Sequence, residues 1–131
     1  MWLADELKQL ISSHEYKYSD VHPSKVRNRM LQLEKRGSII HELVASRSGT
    51  HTIFGVIVGD QEKPAIVLTG NCHAEEVIGT LSILFILEQV LTKGSLLSSL
   101  LNQYCIIAIP QMNPDGVMAN WGWIEDPTTK N

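Results

Sequence analysis

The chain has 131 residues, an ordinary length for one domain, and its 44% hydrophobic and 19% charged residues set it among globular chains rather than disordered ones. Eleven Lys and Arg against fourteen Asp and Glu leave a net charge of -3, with no basic excess to favour nucleic acid or an anionic membrane surface as a partner. Two cysteines, Cys72 and Cys105, are too few for a disulfide-stapled scaffold or a four-thiolate metal site, and are expected as reduced, buried thiols.

The N-terminal stretch mixes Asp5, Glu6 and Lys8 with apolar residues and lacks the basic start and unbroken apolar run of a secretory signal, so a cytoplasmic protein is expected. Leu3, Leu7, Leu10 and Ile11 at helical spacing predict a helix over residues 2–14, and Val26, Met30, Leu31 and Leu33 a second over 21–36, stopped by Gly37. That second helix holds Lys25, Arg27, Arg29, Lys35 and Arg36, read as a solvated face. β-Branched runs at 39–45 and 51–58, joined by the turn Ser48-Gly49-Thr50, predict a hairpin.

Two continuous apolar runs, 65–69 and 104–109, suit central strands covered on both faces. Between them lies a helix over about 75–92, ended by Gly94. Its apolar stretch 77–91 is broken by Thr80, Ser82, Glu88 and Gln89 and falls short of the roughly 20 residues a bilayer requires. Strand, helix, strand makes a βαβ unit, and the fold class is α/β: a mixed sheet with N-terminal helices, a β-hairpin and a βαβ crossover in one domain. Sites in such sheets form beyond the carboxyl ends of strands, which directs attention to the loops after Thr69 and after Ile109.

The first loop reads Gly70-Asn71-Cys72-His73-Ala74-Glu75-Glu76. With His73 just outside the helix and Glu76 in its first turn, an imidazole nitrogen and a carboxylate oxygen can converge on one zinc ion. Chance yields about a third of such a match in a chain of this composition. Acidic residues in a first turn also suit the helix dipole, and Glu at the third helical position can close a capping box. The second loop reads Pro110-Gln111-Met112-Asn113-Pro114-Asp115-Gly116, whose Asn-Pro-Asp-Gly is also good type I turn chemistry. Trp121, Trp123 and Tyr104 either line an aromatic pocket or pack in the core. His14, His22, His41 and His51 all precede the βαβ unit and carry no ligand pattern of their own.

The pairing of Gly70-x-x-His73-x-x-Glu76 with Asn113-Pro114-Asp115-Gly116 resembles the zinc metallocarboxypeptidases of the carboxypeptidase A and B type. Tyr18 before a helix and the Ser46-x-x-Gly49 turn extend the resemblance over nearly the whole chain, although the family's Arg after that Gly is Thr50 here. The resemblance implies His73 and Glu76 as zinc ligands, Zn2+ as the cofactor, and a peptide or protein C-terminus as substrate, hydrolysed by a zinc-activated water. It also implies a third ligand, a general base and substrate-binding arginines well downstream, all expected beyond Asn131, the last residue of the sequence. This chain has no His after His73 and no Arg after Arg47, so none of its residues is assigned a catalytic role, and the expectation is a truncated domain, inactive alone.

Three alternatives compete. His73-Ala74-Glu75 also fits a zinc deaminase, but neither cysteine has the second Cys of Pro-Cys-x-x-Cys. Aspartoacylase-type amidohydrolases share a His-x-x-Glu pair after a central strand. The last alternative is a non-catalytic partial scaffold that binds a partner protein.

Overall fold

A computed structural model of the protein describes Asp5, Lys8, Gln9, residues 16–126 and Thr128. Most of the helix predicted over residues 2–14, including His14, lies outside the described residues, as does Asn131. After a 3-10 turn, Tyr18–Val21, helix α1 runs over Pro23–Lys35 with Pro23 in its first turn and the His22 ring accepting from the Ser24 N–H. Val26, Met30 and Leu33 recur at i, i+4 and i+7 and are its buried stripe. Gly37, at φ 109°, supplies the left-handed residue that ends it.

Strands β1 (Ile39–Ala45) and β2 (Thr52–Val58) form the predicted antiparallel hairpin. Strand β3 (Ala65–Thr69) is followed by α2 (Val77–Val90), a 3-10 turn at Leu96–Asn102, and β4 (Cys105–Ile109), which pairs parallel with β3 from Ala65↔Cys105 to Thr69↔Ile109. The sheet order is β1-β2-β4-β3, a mixed sheet in which β4 pairs antiparallel with β2 on its other side. Two short helices close the described chain, α3 (Pro114–Ala119) and α4 (Trp121–Glu125).

Two expectations are corrected. Helix α2 is shorter than 75–92, starting at Val77 and ending at Val90. Among the described residues β3 is an edge strand, not a central one; its Ile66 and Leu68 pack into the core, while Val67 on the other face is 62% exposed. An apolar run shows what a strand would bury, not which neighbours reach it.

Helices α1 and α2 cover one face of the sheet. Between them lie Val26, Met30 and Leu33, Ile83, Leu84, Leu87 and Val90, and the strand residues Val56, Val58, Ile106 and Ala108. Each large member contributes about 1.5–3 kcal/mol by leaving water. Arg29 of α1 pairs with Glu88 of α2, Tyr16 donates to the same carboxylate at 3.2 Å, and Arg36 donates to the Glu88 carbonyl and the Thr92 hydroxyl. Part of the basic face of α1 is therefore a seam between helices rather than a solvated surface. A smaller cluster of Val21, Val77, Leu81, Val117 and Ile124 sits beyond the carboxyl ends of β3 and β4 and underpins the loops there.

Candidate metal centre

The loop after β3 is built by two residues that make tight backbone approaches possible. Gly70 has its N–H on the Ile109 carbonyl at 3.0 Å and accepts from the Met112 N–H at 3.0 Å, which carries the parallel pairing past both strand ends. A Cβ at Gly70 would lie 2.9 Å from the Gly79 backbone, from Ile83 and from the Pro110 carbonyl, so glycine is required there. Asn71 adopts φ 56°, a conformation Asn tolerates better than most residues. Its buried amide donates to the carbonyls of His73 at 3.1 Å and Ala74 at 3.2 Å, curling the chain back on itself. The Glu76 N–H closes the turn on the His73 carbonyl at 3.1 Å.

That turn brings the two predicted ligands together. His73 Nδ1 lies 3.1 Å from Glu76 Oε1, with the side chains 78% and 64% exposed. A contact so solvated contributes at most about 1 kcal/mol to stability, so it is not explained as a structural brace. Glu76 occupies the N-cap of α2 rather than its first turn, and its side chain makes no capping hydrogen bond. The capping-box explanation therefore does not apply, and the carboxylate is left facing the imidazole. Two donors on one tetrahedral zinc, each at 2.0–2.1 Å, stand about 3.3 Å apart. The His73 and Glu76 atoms have about that separation and the right donor chemistry for one edge of such a site. Among the described residues no group of three or more His, Cys, Asp or Glu converges on one point. The His that would be the third ligand and the substrate arginines that the family resemblance implies have no counterpart between Gly116 and Asn131, a stretch without His or Arg.

The second loop acts as the floor of the first. Asn113 caps α3 by accepting from the Gly116 N–H at 2.9 Å, while its amide donates to the Cys72 carbonyl at 3.4 Å. Asn-Pro-Asp-Gly is thus a helix start, not an isolated turn. A Cβ at Gly116 would come within 2.7 Å of the Ala74 Cβ, so this glycine lets the two loops touch. Asp115 reaches the hairpin turn, accepting from the Ser48 N–H at 2.7 Å and the Ser48 hydroxyl at 2.8 Å. The Ser48 N–H first, then the Ser48 and Ser46 hydroxyls, hold its carboxyl below the ordinary aspartate value. The three motifs that carry the family resemblance, 46–49, 70–76 and 113–116, are therefore one packed unit.

Sequence reasoning missed three supports: Asn71, Thr80, whose buried hydroxyl donates to the Pro110 carbonyl at 2.7 Å, and Gln111, whose amide donates to the Val21 carbonyl at 2.7 Å. The buried character of these polar residues is the signal, and it has no counterpart in a linear pattern. Trp121 and Trp123 pack against the smaller cluster, Trp121 also meeting the His22 ring edge-on at 4.8 Å. Tyr104 precedes β4 at the opposite end of that strand, so the three rings share no aromatic pocket. Cys105 is buried as expected, whereas Cys72 is exposed; both are free thiols.

A family model described as zinc carboxypeptidase matches residues 11–129. The chain belongs to the zinc carboxypeptidase family. Similar curated proteins include an "Inactive metallocarboxypeptidase ECM14" of Ajellomyces capsulatus, 33% identical over 72 residues, and one of the same description from Uncinocarpus reesii, 27% identical over 88 residues. Those matches cover 51% and 61% of this chain but only 12% and 14% of the relatives, so the chain spans a small part of their length. Among solved structures, a putative carboxypeptidase A from Shewanella denitrificans superposes with a TM-score of 0.66 at 23% identity, covering 71% of this chain and 26% of that one. Carboxypeptidase A from Helicoverpa armigera superposes at 0.59 and 21% identity over 82% of this chain and 26% of that one. These likenesses show a carboxypeptidase-like mixed α/β fold. The family match sets aside the deaminase and aspartoacylase-type families as the chain's own.

Proposed function

We propose that this chain carries the first two zinc ligands of a metallocarboxypeptidase, His73 through Nδ1 and Glu76 through its carboxylate, in a protein that removes residues from peptide C-termini. The observation that carries this reading is the solvated His73–Glu76 contact at 3.1 Å, on a turn that two loops and a buried Asn71 hold in place. Bound there, zinc supplies Lewis acidity toward a carbonyl and toward water. The chain's own part is to hold and orient. Gly70 and Gly116 let the loops close, Asn71 and Asn113 fix the carbonyls of 72–74, and Asp115 anchors the assembly to the hairpin.

Catalytic zinc sites hold three protein ligands, so two donors give weak binding and these 131 residues alone turn over no peptide. A second reading, a non-catalytic member that keeps the scaffold and binds a partner, is supported by the relatives described as inactive. Calorimetric zinc titration of the wild-type chain beside His73→Ala and Glu76→Gln tests the ligand assignment. Each substitution should weaken binding at least about tenfold, and affinity should fall toward acid because the imidazole must be neutral to ligate. Equal affinity in all three proteins overturns the assignment, and stoichiometric zinc with peptide turnover by this chain overturns its inactivity.

A further inference from the structure

Among the described residues, strand β3 is paired on one side only, and the directions of its backbone groups decide what fits the other side. The Cys105 N–H donates to the Pro64 carbonyl and the Gly70 N–H to the Ile109 carbonyl, each at 3.0 Å. Pro64, Ile66, Leu68 and Gly70 therefore turn their backbone groups toward β4. Direction alternates along a strand, so Ala65, Val67 and Thr69 aim their N–H and C=O at the free edge, where no described backbone group meets them. The side chains of these same residues lie on the open face of the sheet, with Val67 62% exposed, while Ile66 and Leu68 pack into the core.

We infer that β3 pairs antiparallel with β3 of a second copy of this chain, Val67 against Val67 across a two-fold axis and Ala65 against Thr69. In that register the strand is its own complement. Val67 exchanges both of its backbone bonds with its counterpart, Ala65 does the same with Thr69, and every outward group finds a partner. On the open face a Val–Val pair is flanked by Ala–Thr pairs, and on the helix-covered face Ile66 meets Leu68, all suited to cross-strand packing. Charge does not oppose the pairing, because the same register sets Pro64 opposite Gly70 and Lys63 opposite Asn71. The dimer joins two four-stranded sheets into one and consumes both β3 edges. Strand β1 is then left outermost, interrupted by its register shift between Glu42 and Val44 and carrying His41 and Glu42, so assembly closes at two. An edge of five residues buries less than the roughly 800 Å² per partner of a standard interface, which sets the dissociation constant on the order of 10–100 µM. The pairing needs no metal and is independent of whether His73 and Glu76 hold zinc.

Sedimentation equilibrium of the wild-type chain in EDTA should fit monomer and dimer with no larger species. Val67→Pro removes the central outward N–H without touching a bond to β4, and should weaken dimerisation at least about tenfold while circular dichroism shows the chain folded. Cysteine cross-linking with diamide, in a Cys72→Ser background that removes the exposed native thiol, reads the register. Val67→Cys should cross-link to itself, since paired Cα atoms about 5.5 Å apart lie within disulfide reach. Ala65→Cys should not, its two copies standing about 14 Å apart, whereas a mixture of Ala65→Cys and Thr69→Cys chains should cross-link. A wild-type monomer up to millimolar concentration, species larger than a dimer, undiminished dimerisation by folded Val67→Pro, or equal self-cross-linking of Ala65→Cys and Val67→Cys overturns the inference.

Discussion

Gly116 shows at the scale of one residue how closely the metal loop is fitted to its support. In an ordinary helix, Gly→Ala stabilises by about 1 kcal/mol through reduced chain entropy. At Gly116 the added methyl would meet the Asn113 amide at 2.6 Å and the Ala74 Cβ at 2.7 Å, and neither neighbour can move without shifting the turn that carries His73. Gly116→Ala should therefore reverse the usual sign and cost about 1–3 kcal/mol in urea denaturation, with zinc affinity falling alongside. Asp115 makes the complementary case with pH. Its folded carboxyl titrates below the ordinary 3.8, so the stability it contributes is full above that value and is lost as pH falls through the lower, folded one. Asp115→Asn should lower Tm at neutral pH and flatten the part of the acid decline that lies below about pH 4; a decline identical to wild type would show that its bonds to Ser48 contribute nothing.

At the scale of elements, α2 is joined to the sheet and to α1 by polar bonds inside otherwise apolar packing. Thr80→Val keeps the shape of a fully buried side chain but leaves the Pro110 carbonyl without its donor at the end of β4. Such an orphaned acceptor costs about 1–3 kcal/mol, measurable by chemical denaturation, and an unchanged midpoint would show that another donor takes over. These joins explain what was legible in the sequence. The hairpin, the βαβ order and the two site loops follow from local patterns: β-branched and continuous apolar runs, the α1 stripe and the glycines that punctuate them. The His73–Glu76 pair was legible because both residues lie on one turn. What escaped notice depends on partners far apart in the chain, as with Asp115 and Ser48, Gln111 and Val21, or Arg29 and Glu88. The 3-10 turn at Leu96–Asn102 was also missed: Ser95 caps it by accepting from the Leu97 N–H, but the run of Leu and Ser that follows has no periodic signature to mark it.

At the scale of the whole molecule, the sheet is asymmetric. Helices α1 and α2 cover one face, and the face away from them presents Ile39, Leu43, Val44 and Val67, all exposed. The register shift between Glu42 and Val44 turns both Leu43, which lies over Gly55, and Val44, which pairs with Ile53, to that same side. Among the described residues, strand β3 adds a free row of backbone donors and acceptors along Ala65–Thr69, with no charged residue or proline in it to discourage another strand. An apolar face beside an unprotected edge favours association, and a net charge of -3 opposes it only weakly. The 131-residue chain should therefore bind a hydrophobic dye and show concentration-dependent mass in sedimentation. Val67→Lys, placed on the exposed face of the edge strand, should reduce both while leaving the far-ultraviolet circular dichroism spectrum unchanged. A wild-type chain that is monomeric at all concentrations and dark with the dye would mean that this face is stable in water as it stands.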